Sequence, residues 1–459
     1  MAHLYIAAPQ KSSGKTTLSI GICRELRRRG LVVQPFKKGP DYIDPLWLSQ
    51  AATRSCFNLD FQTMAPEEIS DAFARELSGA DIGVIEGNVG LFDSTDVRGA
   101  NSNAELAKQL RAPVVLVINC NGLARGIAPL LLGYRAFDPD LEIAGVILNK
   151  VGGMRHEANL VRVVEHYTDL AVLGVLRRED DIAISERHLG LMPINEARDA
   201  DAWIESIRAS VADQLDFDRL IEIGERAPRP EPRAQGPGRT LGAGAPVRLG
   251  IARDAAFGFY YPDDLRALAA GGAELVPFSP IDDAELPAVD ALFIGGGFPE
   301  YRMAELEANV SMRQSVADFI ARGAPAYAEC GGLMYLCRGL SWQGARHAMV
   351  GALKAEVEMH QRPQGRGYVR LRETADFPWP AGARSGAEIP AHEFHHSAIV
   401  DPHPDWRYAY EVLRGSGING SHDGVAQGNL LACYSHLRDV PGNPWTQRFL
   451  DHVRRCLDG

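Results

Sequence analysis

The sequence predicts two α/β domains in tandem, the first a doubly wound parallel sheet organised around a phosphate-binding loop. Three observations carry this reading. Short apolar runs alternate with helix-length segments through both halves, a Gly-Lys-Thr turn follows directly on the first run, and a Pro/Gly-rich stretch near the middle cannot bury a core. At 459 residues the chain is also too long for one ordinary core.

The first run, Leu4–Ala8, reads as a buried strand, and Leu18–Arg29 carries Ile20, Cys23 and Leu26 at helical spacing. Between them lies PQKSSGKTT (Pro9–Thr17). In such a strand–loop–helix turn, backbone N–H groups and the helix N-terminus face an anion. A lysine reaches the outer phosphates and a hydroxyl ligates Mg²⁺. The expected ATP-binding set is therefore Lys11, Ser12, Ser13, Gly14, Lys15, Thr16 and Thr17, with Thr16 on the metal. Pro9 stands where the common pattern has Gly, and Lys11 gives the K-x-x-G-K-T variant with a second, loop-borne lysine. The arginines Arg27–Arg29 read as the solvated end of the first helix.

A second strand, Val32–Phe36, runs into FKKGPDYIDP (Phe36–Pro45), a rigid polar loop at a strand's C-terminal end, where open α/β sheets bind ligands. Asp41 and Asp44 are candidates to hold Mg²⁺ or to orient a substrate group, and Lys37 and Lys38 to neutralise phosphate or carboxylate. The strand Ile82–Ile85 ends in VIEGNVGLFDS (Val84–Ser94). An acid directly after an apolar strand is the position from which a carboxylate holds Mg²⁺, which makes Glu86 a metal candidate, with Asp93 on the same loop. Further strands are expected at Val114–Asn119, Ile143–Leu148 and Ala171–Val175. Asn149, just after the second of these, suits adenine-edge recognition or simply a turn. Ser185–Leu191 groups Glu, Arg and His as a weak polar candidate.

From Arg226 to Pro246 the composition becomes that of an interdomain linker, separating domains over 1–225 and 247–459. The second α/β pattern opens with VRLGIA at Val247. It continues through DAAFGFYYPDDL (Asp254–Leu265), strands ending in PFSP and GGGFPE, and a helix near Glu305–Arg322. Then APAYAECGGLMYL (Ala324–Leu336) places Cys330 where a strand turns sharply into a helix between small residues. A nucleophile on such a turn is exposed to substrate, and the helix N-terminus favours the thiolate. Gly296 and Gly297, at the end of a neighbouring strand, and Gly331 beside the thiol are the expected oxyanion donors. His436, just after the apolar run Leu430–Tyr434, is the expected base. HEFHHS (His392–Ser397) has metal-like spacing but reads as an extended segment.

The formal charge of −11 argues against a nucleic-acid partner. Seven scattered cysteines without a C-x-x-C pair argue against a disulfide framework, and no apolar run reaches the length of a membrane span. A cytoplasmic location, with no membrane partner, is expected.

Taken together, the loop variant, FKKGPDYIDP, VIEGNVGLFDS, ERHLGL, DAAFGFYYPDDL, PFSP, GGGFPE, AECGGLMYL and HEFHHS resemble the cobyrinic acid a,c-diamide synthase family over nearly the whole chain outside the linker. The resemblance implies an N-terminal domain similar to dethiobiotin synthetase and a C-terminal class I glutamine amidotransferase domain of the cobyrinate/cobyrate type. It implies amidation of tetrapyrrole acetate groups with ATP, Mg²⁺ and L-glutamine, through an acyl phosphate, and a possible homodimer. Cys330 would be the glutaminase nucleophile and His436 its base. Asp41, Asp44 and Glu86 would serve the metal or acyl substrate, and Asp93 the substrate side.

Two departures stand out. Other class I amidotransferases place Glu two residues beyond the catalytic His, where this chain has Arg438. Asn88-Val89 and Asn101–Ala104 differ from the commoner family pattern and resemble the variant thought to amidate sirohaem for dissimilatory sulfite reductase. A P-loop regulatory ATPase with an inactive amidase-like domain and a tetrapyrrole carrier are the readings from other classes.

Overall fold

In the computed structural model the described residues are 1–178, 186–187, 190–197, 199–230, 244–380 and 386–458. The chain forms two compact units, Met1–Gly236 and Pro237–Gly459. Most of the expected linker, and Ser185, His188 and Leu189 of the weak polar cluster, lie outside the described residues.

The first unit is built on seven strands: β1 (Ala2–Ala7), β2 (Val33–Lys38), β3 (Phe57–Leu59), β4 (Ile82–Glu86), β5 (Val114–Asn119), β6 (Ile143–Val151) and β7 (Ala171–Arg177). Every pairing is parallel and the order is β3-β2-β4-β1-β5-β6-β7. The chain therefore travels one way from β1 to β3 and the other way from β5 to β7, so the C-terminal end of β1 is a topological switch point. Helices α1 (Lys15–Arg28), α2 (Ile43–Ala52), α3 (Pro66–Leu77), α4 (Asn103–Leu110), α5 (Ile127–Phe137), α6 (Met154–Tyr167), α7 (Ala200–Ala212) and α8 (Phe217–Glu225) complete the unit. A small antiparallel ribbon pairs β8 (Glu186–Arg187) with β9 (Gly190–Leu191).

Two differences from the sequence reading have physical reasons. Strand β2 runs on through Lys37 and Lys38, both buried, so these lysines belong to the sheet rather than to a solvated loop. The arginines at the end of α1 are not simply solvated. Buried Glu25 accepts from Arg28 at 2.8 Å, Arg29 at 3.0 Å and, from α7, Arg208 at 3.0 Å. These hydrogen bonds, that of Arg28 foremost, hold its carboxyl down to about 2.

The second unit contains β10 (Val247–Ala252), β11 (Phe257–Phe259), β12 (Ala273–Phe278), β13 (Ala291–Ile294), β14 (Gly296–Gly297) and β15 (Ala326–Glu329). Then follow β16 (Cys337–Trp342), β17 (Ala345–Ala348), β18 (Leu353–Met359), β19 (Gly365–Glu373), β20 (Glu388–His395), β21 (Ser397–Val400), β22 (Arg407–Arg414), β23 (His422–Gln427) and β24 (Leu430–Cys433). Its helices are α9 (Pro262–Ala270), α10 (Met303–Ala308), α11 (Val310–Ala321), α12 (Gly331–Leu336) and α13 (Trp445–Asp458). The main sheet has nine strands in the order β12-β10-β13-β15-β24-β23-β22-β19-β20. It is parallel from β12 to β24 and antiparallel beyond. A four-stranded sheet, β17-β16-β18-β21, and the β11/β14 ribbon flank it. The single helix expected over Glu305–Arg322 is two, because Asn309 caps α11 through Met312 N and gives its side-chain amide to three carbonyls of the preceding loop. Aromatic residues Phe293, Tyr327, Trp379, Trp445 and Phe449 pack one face of the main sheet beneath the elbow that carries Cys330.

Candidate active sites

In the first unit, β1 delivers the chain to the phosphate loop, where Ser12 (φ 60°) and Gly14 (φ 88°) take left-handed backbone conformations. Gly14 is required twice over, since a Cβ there would lie 2.3 Å from Asn149 Nδ2. Asn149 sits within β6, not after it. Its amide is engaged in the fold, donating to Ser13 O at 2.8 Å and accepting from Lys150 N at 2.9 Å. It therefore buttresses the loop instead of presenting an open edge to a base. Ser13 Oγ closes the loop on Gln10 O at 2.9 Å, Thr17 lies in the first turn of α1, and Lys11 is exposed. Lys15 Nζ donates to Val89 O at 2.9 Å, and burial, helped by Lys37, pushes its pKa down to about 8. A buried ammonium held by carbonyls is one that an anionic ligand would stabilise.

Three acids converge beside it. Thr16 Oγ1 donates to Glu86 Oε1 at 2.7 Å and approaches Asp44 Oδ2 at 3.2 Å. Lys37 Nζ donates to the same two oxygens, at 2.6 and 2.5 Å, and lies 3.7 Å from Asp41 Oδ2. Burial raises the Glu86 carboxyl even against the pull of Lys37. At Asp44, less buried than Glu86, burial is outweighed by Lys37 together with hydrogen bonds from Lys37, Asp41 and Thr16, so its carboxyl stays low, and burial beside Asp44 pushes Asp41 up to about 7. Asp41 also caps α2, its Oδ1 accepting from Ile43 N and Asp44 N.

A divalent cation fits this donor set. Glu86 Oε2 is buried and has no hydrogen-bond partner among the described residues, and it lies beside a hydroxyl and two aspartates. The structure brings Asp44, a candidate for metal or substrate, within reach of the Thr16 hydroxyl that also bonds Glu86. Asp93 does not join them. It is exposed and accepts from Gly90 N at 2.9 Å.

Asn103, noted in the sequence only within the Asn101–Ala104 departure, fixes this loop. Its amide donates to Asn88 O and Gly90 O, and its carbonyl accepts from Asn88 N and Tyr5 OH. Asn101 is held within its own loop by Ser94 and Thr95, whereas the Asn88 side chain accepts from Lys38 Nζ at 3.3 Å.

In the second unit, β15 ends at Glu329 and Cys330 adopts φ 47°, ψ −101° before α12 begins. Positive φ in a non-glycine residue is strained, and such strain persists where the surroundings force it. Here they do: Cys330 N donates to Cys433 O at 2.7 Å, and Gly332 sits so close to β13 that a Cβ would lie 2.1 Å from Ile294 O. A Cβ on Gly331 would lie 3.0 Å from Gly297 N, and one on Gly296 would lie 2.8 Å from His436 Cε1. The three glycines expected as oxyanion donors therefore surround the Cys330–His436 pair.

His436 Nδ1 bonds Glu329 Oε2 at 3.0 Å. Burial opposes its protonation, but its interactions with the Cys330 thiol and Glu329 outweigh burial and raise it to about 10. His392 stacks on the same ring at 4.8 Å and is kept neutral by burial and by His436. The HEFHHS segment is extended, as expected: β20 carries His392 to the site, and Phe394 O lies 4.0 Å from Cys330 Sγ. Arg438 turns away, donating to Asp263 Oδ2 at 2.8 Å and lying 4.9 Å over the Tyr261 ring.

Comparison with known proteins matches a domain family to each unit. The model of the CobQ/CobB/MinD/ParA nucleotide binding domain matches residues 4–191, and that of the CobB/CobQ-like glutamine amidotransferase domain matches residues 248–440. The cobyrinate a,c-diamide synthase of Magnetococcus marinus is 46% identical over 452 residues, covering 98% of this chain and 96% of that protein. Those of Syntrophotalea carbinolica (42% over 458 residues; 98% of each chain) and Methanosarcina acetivorans (43% over 465 residues; 95% and 92%) are similar along the same length. The chain belongs to the cobyrinate a,c-diamide synthase family.

Proposed function

We propose that this chain amidates the acetate carboxylates of a tetrapyrrole, taking energy from ATP and nitrogen from L-glutamine, with the a and c positions of cobyrinic acid as the substrate class. The observation that supports it most is the co-existence in one chain of a strained Cys330 elbow against His436 and a phosphate loop facing Asp44 and Glu86.

In the second unit, Cys330 Sγ attacks the side-chain amide carbon of glutamine. The S–C bond forms as the C–N bond breaks, His436 gives its proton to the departing amine, and water then releases glutamate from the thioester. Gly296, Gly297 and Gly331 are the donors assigned to the oxyanion. In the first unit, Lys15 and the N–H groups from Lys11 to Thr17 would bind the triphosphate, and Thr16, Glu86, Asp44 and Asp41 would hold Mg²⁺. When bound, that ion neutralises phosphate charge during transfer. There the substrate carboxylate takes the γ-phosphoryl group of ATP, releasing ADP, and ammonia then displaces phosphate from the acyl phosphate to give the amide.

Among the described residues no helix is long and apolar enough to cross a membrane, and all seven cysteines are unpaired. A reducing cytoplasm suits a thiol nucleophile.

The test is product mass spectrometry with cobyrinic acid, sirohydrochlorin and sirohaem offered separately. Cobyrinic acid should gain one and then two amides only when ATP and glutamine are both present. Amidation of sirohaem alone would move the substrate, and amidation of none would end the proposal.

A further inference from the structure

The carboxylate that orients a catalytic histidine in other class I amidotransferases is missing here, since Arg438 occupies its sequence position. We infer that Glu329, the residue immediately before the nucleophile, is the positioning carboxylate for His436. This rests on the glutaminase reading of the Cys330 site and deepens it.

The geometry is direct. Glu329 Oε2 lies 3.0 Å from His436 Nδ1, and Glu329 Oε1 accepts from Leu437 N at 3.0 Å and from Tyr327 OH at 2.6 Å. One carboxylate thus grips the histidine ring and the backbone just beyond it, while a tyrosine from the same strand fixes the carboxylate. The side chain is 4% exposed, so these bonds form out of water, where charge-assisted hydrogen bonds are strong. A carboxylate facing Nδ1 requires the proton there, which leaves Nε2 as the ring nitrogen that serves Cys330.

The backbone explains why this acid can replace the missing one. Strands β15 and β24 are parallel neighbours with Glu329 opposite Cys433, three residues before His436. The strand that ends in the nucleophile therefore also ends beside the histidine. Glu329 and Cys330, consecutive in sequence, approach the same imidazole because the positive φ at Cys330 turns the chain sharply between them. Arg438 carries a positive charge and no acceptor, so it cannot perform this role, and it is committed to Asp263. Glu329 does not touch the substrate in this account; it acts through His436.

Glu329→Gln keeps the shape and removes the charge, and its amide can donate to Nδ1 and so favour the wrong tautomer. Full-length protein should lose glutaminase kcat by about 10²- to 10⁴-fold with the glutamine KM little changed, as expected when an orienting carboxylate becomes an amide. Glu329→Asp should recover part of that loss.

The groups facing His436 are Glu329, Cys330, His392 and, more remotely, Arg438. The pH profile of kcat in the Gln variant should accordingly lose the limb set by the protonated histidine. Amidation with ammonia supplied directly should be unchanged, which separates positioning from misfolding. Kinetics within threefold of wild type, with an unaltered pH profile, would overturn the inference. Loss of ammonia-driven amidation as well would mean a misfolded variant. The wild-type protein labelled with ¹⁵N-histidine then decides: a protonated, far-downfield Nδ1–H signal assigned to His436 upholds the inference, and an unprotonated Nδ1 rejects it. Activity surviving in Cys330→Ser would instead overturn the glutaminase reading beneath it.

Discussion

Replacing Lys37 with Met tests the acid cluster most sharply. The ammonium is 3% exposed and bonded to Asp44 at 2.5 Å and Glu86 at 2.6 Å, with Asp41 at 3.7 Å. Methionine matches the stem in size, so packing changes little and the effect is electrostatic. Three carboxylates would be left without their cation, and breaking a buried pair of this kind costs about 3–5 kcal/mol.

The pH dependence has a definite sign. Without Lys37 the lowered carboxyl of Asp44 rises and those of Glu86 and Asp41, already raised, rise further, so the variant's deficit should grow as pH rises from about 5 to 8. Mg²⁺ should recover more in the variant than in wild type, because Lys37 no longer competes for the same oxygens. At 100 times the dissociation constant the recovery is about 2.7 kcal/mol. Hydrogen exchange read by mass spectrometry reports the two units separately, with peptides of the second unit as internal control. A variant within about 1 kcal/mol of wild type at pH 8, indifferent to Mg²⁺, would refute the cluster as described.

Two other outcomes follow from the second unit. Gly332→Ala places a Cβ 2.1 Å from a backbone carbonyl that no rotamer change can move aside, so the elbow must shift. Glutaminase turnover should fall about 100-fold or more while ammonia-driven amidation persists, measured side by side on one preparation. His436 is raised from the ordinary histidine value to about 10 by Cys330 and Glu329 against the effect of burial. Its contribution to stability is therefore complete below about pH 6.5 and lost as pH climbs through 10. Denaturation of wild type and His436→Gln from pH 6 to 10 should converge at the alkaline end.

Much of this was legible in the sequence because the chemistry sits at strand ends, where an apolar run and its polar successor are adjacent in the chain. The phosphate loop, Glu86, Cys330 and His436 all have that local form. The partnerships were not legible. Lys37 reads in sequence as part of a polar loop, and only the parallel register of β2 with β4 sets it opposite Glu86. Asp44 joins Thr16 because α2 starts at Ile43 and carries the acid in its first turn, where a loop was expected. Glu329 was in plain view in AECGG, yet nothing in one dimension says that its carboxylate meets a histidine 107 residues away. Asn103 and Asn149 have the opposite lesson, since asparagines that looked like a ligand contact or only a departure from the family pattern are spent on holding loops in place.

The account stands on two separable chemistries, nitrogen release at Cys330 and carboxylate activation at the phosphate loop. The most direct test is amide formation by Cys330→Ser on one tetrapyrrole substrate, with glutamine or with ammonium as nitrogen source. Amidation should disappear with glutamine and persist with ammonium in the presence of ATP. Continued amidation from glutamine in that variant would contradict the account.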